Sequence, residues 1–185
     1  EIIESLDPIN TLVKQIQFCV SMDEKVVVAL NSISQINRVC KELVGNYGYK
    51  KDEIGILCSS SSKNDIYHMT QWIPIPKDGE IKIEFKLIFM TSSYFVGIDI
   101  LDLFHLIIVN FPYPDHAILS FEKIYQITGR ARNGTLSNVL ISPHKIEVYK
   151  DHFDLEDINS RIAKVKEVIE FSKEVYSDQD YNDDF

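Results

Sequence analysis

The sequence predicts an α/β fold of three layers, with helices on both faces of a mainly parallel sheet. Residues 87–90 and 106–109 are continuous apolar runs, typical of strands that are buried on both faces of such a sheet. Strand-like and helix-like segments also alternate along the chain, which favours right-handed βαβ units. The composition agrees, because 185 residues with 45% hydrophobic content suffice for one domain with a sizeable core.

The first predicted helix and strand follow from local patterns near the N-terminus. Residues 8–21 carry apolar side chains four positions apart, and Asp7 stands where a helix N-cap is expected. Residues 25–30 contain a run of β-branched valines, which favours a strand. We therefore expect a helix followed by a strand at the start of the chain.

The next segment predicts a second helix, a second strand and a short third helix. Ser32 is suited to cap a helix whose apolar residues recur at helical spacing and which stops near Gly45. Residues 54–58 predict a short strand, and residues 63–69 predict a short helix.

Two prolines mark residues 72–79 as unsuited to the centre of a sheet, because proline cannot donate to the hydrogen bonds between strands. The dipeptide Asp78-Gly79 instead predicts the turn of a hairpin with residues 80–85. Beyond the two apolar strands, a helix is predicted at residues 116–128 and a strand at residues 138–141.

The C-terminal part predicts a long amphipathic helix and an acidic tail. Residues 155–176 place an apolar stripe on one helix face. The stripe consists of Ile158, Ile162, Val165, Val168, Ile169 and Val175. Residues 178–185 hold four aspartates and no cation, which indicates a solvated, disordered end.

Charge and residue usage narrow the classes of function. The net charge of −9 argues against a strongly basic nucleic-acid surface, although the acidic tail carries much of that charge. No apolar run approaches the roughly 20 residues that span a bilayer, and the N-terminus lacks a signal-peptide pattern. The cysteines are odd in number and lack metal-type spacing, which predicts reduced, buried thiols in a cytoplasmic protein. They are Cys19, Cys40 and Cys58.

Two polar segments, one after a predicted helix and one after a predicted strand, contain residues suited to binding phosphate. Residues 126–133 place a glutamine and two arginines around a glycine. Arginine is always charged and can donate two parallel hydrogen bonds to phosphate, and a glycine lets the backbone approach a ligand. Residues 91–99 begin where a predicted strand ends. Ligands of open α/β sheets bind at the carboxyl ends of the strands, so we expect both segments to reach that edge.

These segments, with residues 25–32, resemble motifs V, VI and IV of the superfamily 2 helicases. The matching residues are Thr91, Gly97 and Asp99 for motif V, and Gln126, Gly129 and Arg130 for motif VI. Residues 25–32 resemble motif IV as a buried strand that ends in small polar residues. The three motifs occur in the order and at roughly the spacing of the family. The resemblance covers residues 22–145 and implies a RecA-like domain, the second of the two in a helicase.

The resemblance implies a role for each matched residue. Arg130 would contact the γ-phosphate of ATP, with Gln126 and Gly129 beside it and Arg132 as a second candidate arginine. Gly97 and Asp99 would approach the nucleotide, while Thr91, Ser92 and Ser32 would contact the backbone of a DNA or RNA strand. No metal ligand is implied for this domain, because the family holds ATP and Mg²⁺ mainly on the first RecA-like domain. Trp72 and Tyr94 are aromatic candidates for base stacking, although packing is the commoner role of such residues.

The chain has no Gly-x-x-x-x-Gly-Lys-Ser/Thr phosphate loop, and no Asp-Glu box follows a predicted strand. We therefore expect it to be the C-terminal half of an ATPase from a longer protein, inactive by itself and partnered by the first RecA-like domain. The expected organisation is an N-terminal helix or linker at 1–21, the RecA-like domain at 22–150, the helix at 151–177 and the tail at 178–185.

The sequence departs from the family at one position of motif VI. Many members place a second arginine three residues after the first, where this chain has Asn133, whereas Arg132 lies two residues after Arg130. Which arginine acts on the phosphate is therefore open. The run also resembles the Gln-x-x-Gly-Arg-Ala-Ala-Arg-Asn motif of excision-repair helicases with one residue missing, which favours DNA slightly. The alternatives are a degenerate RecA-like scaffold that binds protein partners and, less favoured, a stand-alone nucleotide-binding domain.

Overall fold

The computed structural model describes residues 1–74, 78–111 and 117–143, which belong to one compact unit, Glu1–Lys145. Seven strands form one sheet: β1 (Ile2–Glu4), β2 (Val26–Ala29), β3 (Ile54–Leu57), β4 (Gln71–Trp72), β6 (Leu87–Met90), β8 (His105–Val109) and β9 (Ser137–Ser142). Two short strands, β5 (Glu80–Ile81) and β7 (Asp99–Ile100), form a separate pair. The strand order in the large sheet is β1-β9-β8-β2-β6-β3-β4, and every pairing is parallel.

Helices flank this sheet, so the predicted α/β class with a parallel sheet is confirmed. The helices are α1 (Pro8–Val20), α2 (Ile33–Tyr47) and α3 (Phe121–Thr128). Side chains of α1 and α2 share one hydrophobic cluster with alternate residues of the strands, and α3 contributes to the cluster on the other face. In β2, Val26 and Val28 belong to the first cluster and Val27 and Ala29 to the second. Burial of both faces explains the continuous apolar runs of the central strands.

Each of the three helices begins directly after a residue whose side chain caps it. Asp7 accepts a hydrogen bond from the backbone of Asn10, and Ser32 accepts one from Gln35, as predicted for α1 and α2. The predicted start of the third helix was wrong. Ser120 caps α3 through the backbone N–H of Lys123, so the helix begins at Phe121 and not near residue 116.

The second helix stops near Gly45 as predicted. Its last residue is Tyr47, and Gly48 follows with a φ of 73°, the left-handed conformation that favours glycine. The short helix predicted next was wrong. Residues 63–69 do not form the predicted short helix. A 3₁₀ helix occupies Ser60–Asp65 instead, with a run of small hydroxyl side chains that are poor formers of an α-helix interior.

The predicted hairpin around Asp78-Gly79 does not form. The strand that follows the turn, β5, pairs in parallel with β7, and Asp99 donates its backbone N–H to the Gly79 carbonyl at 2.8 Å. The strand before the turn, β4, pairs in parallel with β3 at the edge of the large sheet. The turn residues thus end a strand, but long-range pairing decides which strand becomes the partner.

The N-terminal residues pack onto the same sheet. Strand β1 lies at the edge beside β9, and the backbone nitrogen of Glu1 donates to the Asn138 carbonyl at 2.9 Å. Helix α1 buries Leu12, Val13 and Ile16 completely. That residues 1–21 connect to a preceding domain stays a prediction. The predicted C-terminal helix and acidic tail lie outside the described residues. Within the described residues, no helix combines the length and apolar character needed to cross a bilayer.

An ion pair joins the loop before β8 to the start of β2. Lys25 Nζ lies 2.9 Å from Asp102 Oδ1 and also donates to the Ile83 carbonyl at 2.7 Å. Asp102 Oδ2 accepts the backbone N–H of Ile83 at 2.6 Å. Partial burial raises the pKa of Asp102, but the Lys25 ammonium and the Ile83 N–H together lower it by more. The pKa therefore lies below its ordinary value.

This lowered pKa predicts a specific loss of stability in acid. A carboxylate with a depressed folded pKa stabilises the fold above its unfolded pKa of about 3.9, and this contribution disappears as the pH falls through the folded value. Asp102→Asn should lower the free energy of unfolding at pH 7 by no more than about 1 kcal/mol, because the pair is partly exposed, and should reduce the acid-induced loss below pH 4. Urea unfolding at pH 7 and pH 3 tests this, with Glu24→Gln as an exposed control. An unchanged slope of stability against pH in Asp102→Asn would contradict the assignment.

Candidate functional site

A polar pocket lies where three neighbouring strands of the large sheet end. The segments that follow β2, β3 and β6 surround a pocket of about 390 Å³. Its lining consists of Asn31, Ser32, Ile33, Ser34, Ser59, Ser62, Thr91, Ser92 and Ser93. None of these side chains carries a charge, so the pocket offers hydroxyl and amide groups to a ligand. This is the carboxyl edge of the sheet, where ligands of open α/β folds bind.

The structure brings together the three residues predicted to contact nucleic acid, since Ser32, Thr91 and Ser92 all line this pocket. Their hydroxyl groups differ in accessibility. Thr91 is buried, and its hydroxyl donates weakly to the Leu57 carbonyl at 3.4 Å. Ser32 is also buried, and its hydroxyl caps α2 and lies 3.0 Å from Ser34 Oγ. Ser92 is exposed at the mouth of the pocket.

Sequence reasoning missed several residues of the pocket. Asn31 Oδ1 accepts the backbone N–H of Ser92 at 3.0 Å and so ties the end of β2 to the end of β6. Ser59 and Ser62 belong to a run of four consecutive serines directly after β3. That run was a usable signal, because the loop after a strand adjacent to β6 must lie at the same edge of the sheet.

A second group of predicted residues forms a charged cluster. Arg132 Nε lies 2.8 Å from Asp99 Oδ1, and Arg130 Nη1 lies 3.8 Å from the same oxygen. These contacts are electrostatic, since Asp99 Oδ1 accepts no well-aligned hydrogen bond from the described residues. The Asp99 carboxylate is therefore a shared counter-ion of both arginines. The described contacts of the arginines are within this cluster and not with the polar pocket.

Backbone pairing fixes the two arginines beside β7. Ala131 forms a parallel β-bridge with Ile100, whose N–H donates to the Arg130 carbonyl at 2.8 Å. The N–H of Arg132 donates to the Ile100 carbonyl at 3.1 Å. Short sequence distances do not explain this arrangement, because the bridge joins segments about 30 residues apart.

Arg130 is held by neutral oxygen atoms as well as by Asp99. Its Nε donates to the Gln126 carbonyl and its Nη1 donates to the Ile98 carbonyl, both at 3.1 Å. The described contribution of Gln126 to the cluster is thus its backbone carbonyl. Gly97 adopts a φ of 83°, which lets the chain turn from the polar pocket toward Asp99. Gly129 ends α3 with a negative φ, so its backbone conformation does not itself require glycine.

The aromatic candidates for base stacking have other contacts. Tyr94 is buried and its hydroxyl donates to the Cys58 carbonyl at 3.0 Å. Trp72 Nε1 donates to the same carbonyl at 2.9 Å, and the Lys63 ammonium lies 4.6 Å from the centre of its ring. Tyr94 is therefore a core residue, and the face of Trp72 is partly covered by a cation.

The cysteines and the other possible metal ligands outside the cluster lie apart from one another in the described part of the chain. All three cysteines are free and buried, and burial raises the pKa of each thiol, that of Cys40 to about 12. Within the three described ranges, no group of three or more histidine, cysteine, aspartate or glutamate side chains could hold a metal ion. His116, His144 and His152 lie outside the described residues.

Comparison with known proteins gave no family assignment: no protein-family model matches the chain, and no curated protein matches it.

Proposed function

We propose that this chain is the second RecA-like domain of a superfamily 2 helicase or translocase. The observation that carries the proposal is the position of motif V between the other two motifs. Ser92 at its start is bonded to Asn31 of the motif IV segment, and Asp99 at its end pairs with both motif VI arginines. One continuous segment thereby connects a polar pocket to an arginine cluster, as a coupled ATPase requires.

In this proposal the arginine cluster completes an ATP site whose phosphate loop belongs to a facing domain. Phosphoryl transfer is accelerated mainly by cations placed against the charge of the γ-phosphate, and an arginine from a neighbouring domain can supply one. The cluster provides two arginines whose orientation is fixed by Asp99 and by the backbone of β7. ATP is the substrate, and the facing domain would hold Mg²⁺.

The polar pocket would hold the backbone of a nucleic-acid strand. Hydroxyl groups and backbone N–H groups position phosphates without reading sequence. This mode of contact is compatible with a net charge of −9, since it places neutral donors at the phosphate and needs no broad basic surface. DNA is slightly favoured over RNA by the resemblance of motif VI to that of excision-repair helicases.

Coupling follows from domain closure over ATP. Closure would bring the arginine cluster onto the phosphates, and hydrolysis would release it. Movement of Asp99 would be transmitted along residues 92–99 to the polar pocket. The pocket would then shift its contacts along the nucleic-acid strand.

The proposal predicts ATP hydrolysis that depends on nucleic acid in the natural full-length protein. We expect single-stranded DNA or RNA to raise the ATPase rate and Ser92→Asp to weaken nucleic-acid binding on the order of tenfold. The reason is that like charges about 4 Å apart repel by roughly 1–4 kcal/mol between bulk water and a protein surface. A coupled ATPase assay and fluorescence anisotropy with a labelled oligonucleotide measure the two effects.

Asn46→Asp is the matched control, because it adds the same charge to an exposed residue in the last turn of α2, whereas the pocket borders the first turn of that helix. It should leave both measurements unchanged. A full-length protein that neither hydrolyses ATP nor binds nucleic acid would refute the proposal. An active protein in which Ser92→Asp binds normally would refute only the role of the pocket.

A degenerate RecA-like scaffold is the second candidate, and one observation favours it. Phe121 and Tyr125 lie one turn apart on α3 and are 82% and 74% exposed. Exposed aromatic pairs of this kind are common in protein interfaces. A scaffold predicts no ATPase activity in the full-length protein, so the assay above separates the two candidates.

A further inference from the structure

We propose that a groove beside β5 binds an extended segment of a partner protein in which basic and apolar side chains alternate. The groove has a volume of about 480 Å³ and shares no lining residue with the polar pocket. Its role needs neither ATP nor nucleic acid, so the proposal goes beyond the proposed function. Three features support it: the apolar floor of the groove, the free edge of β5 and the carboxylates on the rim.

The floor of the groove is apolar and only partly covered. It includes the half-buried side chains of Ile73, Phe85 and Leu101 and the buried side chain of Ile81. Gly55 in β3 explains how two of these side chains reach the sheet. A Cβ at Gly55 would lie 2.5 Å from Ile73 Cδ1 and 2.8 Å from Phe85 Cδ2, so the missing side chain lets both pack directly on β3. The floor therefore offers an apolar surface that the side chains of a partner can cover.

The backbone of β5 and of the residue after it has one bonded edge and one free edge. On the β7 side, the Ile81 carbonyl accepts the N–H of Leu101 at 3.2 Å. Alternate residues of a strand bond to the same neighbour, so the backbone groups of Glu80 and Lys82 face the opposite side. The N–H of Glu80 donates to Asp78 Oδ1 at 3.1 Å, whereas the N–H and C=O of Lys82 form no hydrogen bond within the described part of the chain. A free edge of this kind can pair with an added strand.

The side chains along this edge alternate between exposed and buried. Three charged residues are exposed and two isoleucines are buried, in the order Glu80, Ile81, Lys82, Ile83 and Glu84. Residues opposite one another on paired strands point to the same face, so an added strand would meet the same alternation. Its apolar side chains would lie on the floor of the groove, and its polar side chains would lie beside Glu80 and Glu84.

The charge of the rim favours a basic partner. Three carboxylates line the groove, those of Asp78, Glu80 and Glu84, against the one ammonium of Lys82. None of the three carboxylates forms an ion pair with a residue in the described ranges. Unpaired carboxylates attract cations on a neighbouring strand and repel phosphates, which disfavours nucleic acid as the occupant. A second copy of this chain is disfavoured for the same reason, because its net charge is −9.

The test measures the binding of a fluorescein-labelled peptide, Val-Lys-Val-Thr-Val-Lys-Val, to the natural full-length protein by fluorescence anisotropy. The spacing of its lysines matches that of Glu80 and Glu84, and its threonine avoids a like charge opposite Lys82. The peptide reads the same in both directions, so it suits parallel and antiparallel pairing equally. One control peptide has glutamate in place of lysine, and the other keeps the lysines but has methylated backbone nitrogens.

The lysine peptide should bind about tenfold more tightly than the glutamate peptide, because two cross-strand pairs change from attraction to repulsion. The methylated peptide should bind at least about tenfold more weakly, because it cannot donate to the free edge. Glu80→Lys/Glu84→Lys should transfer the preference to the glutamate peptide. The matched control, Asp52→Lys/Glu122→Lys, changes the net charge equally at exposed residues outside the groove and should keep the preference for lysine.

Several results would overturn the proposal. They are equal binding of the lysine and glutamate peptides, no saturable binding of the lysine peptide below about 1 mM, full binding of the methylated peptide, and an unchanged preference in Glu80→Lys/Glu84→Lys. Displacement of the peptide by an oligonucleotide would overturn it in favour of nucleic acid. A dimer of the wild-type protein that is lost in the same double variant would overturn it in favour of a second copy. None of these measurements uses ATPase activity, so the groove and the proposed function can fail separately.

Discussion

Asp99→Ala is expected to remove most of the ATPase activity of the full-length protein, with a fall in kcat on the order of 10²-fold, and to lower the free energy of unfolding by about 1–3 kcal/mol. The carboxylate is the shared counter-ion of Arg130 and Arg132, at 3.8 Å and 2.8 Å. Its removal leaves two guanidinium groups close together without neutralisation. The stability cost is below that of a fully buried pair, because Asp99 is 30% exposed.

Asp102→Ala is the matched control for this variant. Asp102 lies three residues further along the same segment, has a similar exposure of 27% and forms one described ion pair, with Lys25. Its loss should reduce stability by about 1 kcal/mol, at the lower end of the range for Asp99→Ala, without changing kcat by more than about threefold. Steady-state kinetics and urea unfolding measure the two quantities. Equal loss of kcat in both variants would mean that Asp99 acts only through stability.

Phe89→Ala is expected to lower the free energy of unfolding by about 3–5 kcal/mol, the largest effect on stability that we predict. Phe89 lies in β6 between β2 and β3, is fully buried and packs in the cluster beneath α1 and α2. A domain of this kind has a total stability of about 5–15 kcal/mol, so this loss is a large fraction of the whole. Urea unfolding followed by circular dichroism measures it.

The control for Phe89 is the same substitution on the surface. Phe121 is 82% exposed on α3, so Phe121→Ala should change the free energy of unfolding by less than about 0.5 kcal/mol. A loss of less than about 1 kcal/mol in Phe89→Ala would show that the cluster can close around the missing ring, contrary to the dense packing that we infer. Unfolding should also destroy the polar pocket, because Thr91, which lines it, directly follows β6.

Much of the fold was predictable from the sequence because the central strands are buried on both faces. Residues 87–90 form β6 as predicted, and the predicted strands at 25–30, 54–58, 106–109 and 138–141 agree with the structure within about one residue at each end. Asp7 and Ser32 were predictable as caps since their side chains act within four residues. The errors lie where distant pairing decides the outcome. Strand β5 pairs with β7, about 20 residues away, and no local pattern in the Asp78-Gly79 turn specifies that partner.

The candidate site was predictable in part. Membership of Ser32, Thr91 and Ser92 in one pocket follows from parallel topology, because strands that lie side by side end at the same edge. The contacts between Asp99 and the arginines could not be derived in this way. They depend on the bridge between Ile100 and Ala131 and on the exposure of each guanidinium, and only the three-dimensional structure gives these. The roles of the two arginines in hydrolysis remain proposals.

The pairing of β1 with β9 also affects the order in which the strands of the domain fold. Ile2 is paired in register with Leu140, so the first described strand lies next to the last described strand. During synthesis, β1 must wait until nearly all of the domain has left the ribosome before its partner exists. Closing so long a loop is entropically slow. The central strands can associate earlier, and the edge formed by β1 should therefore be the last to become protected from hydrogen exchange in a nascent chain.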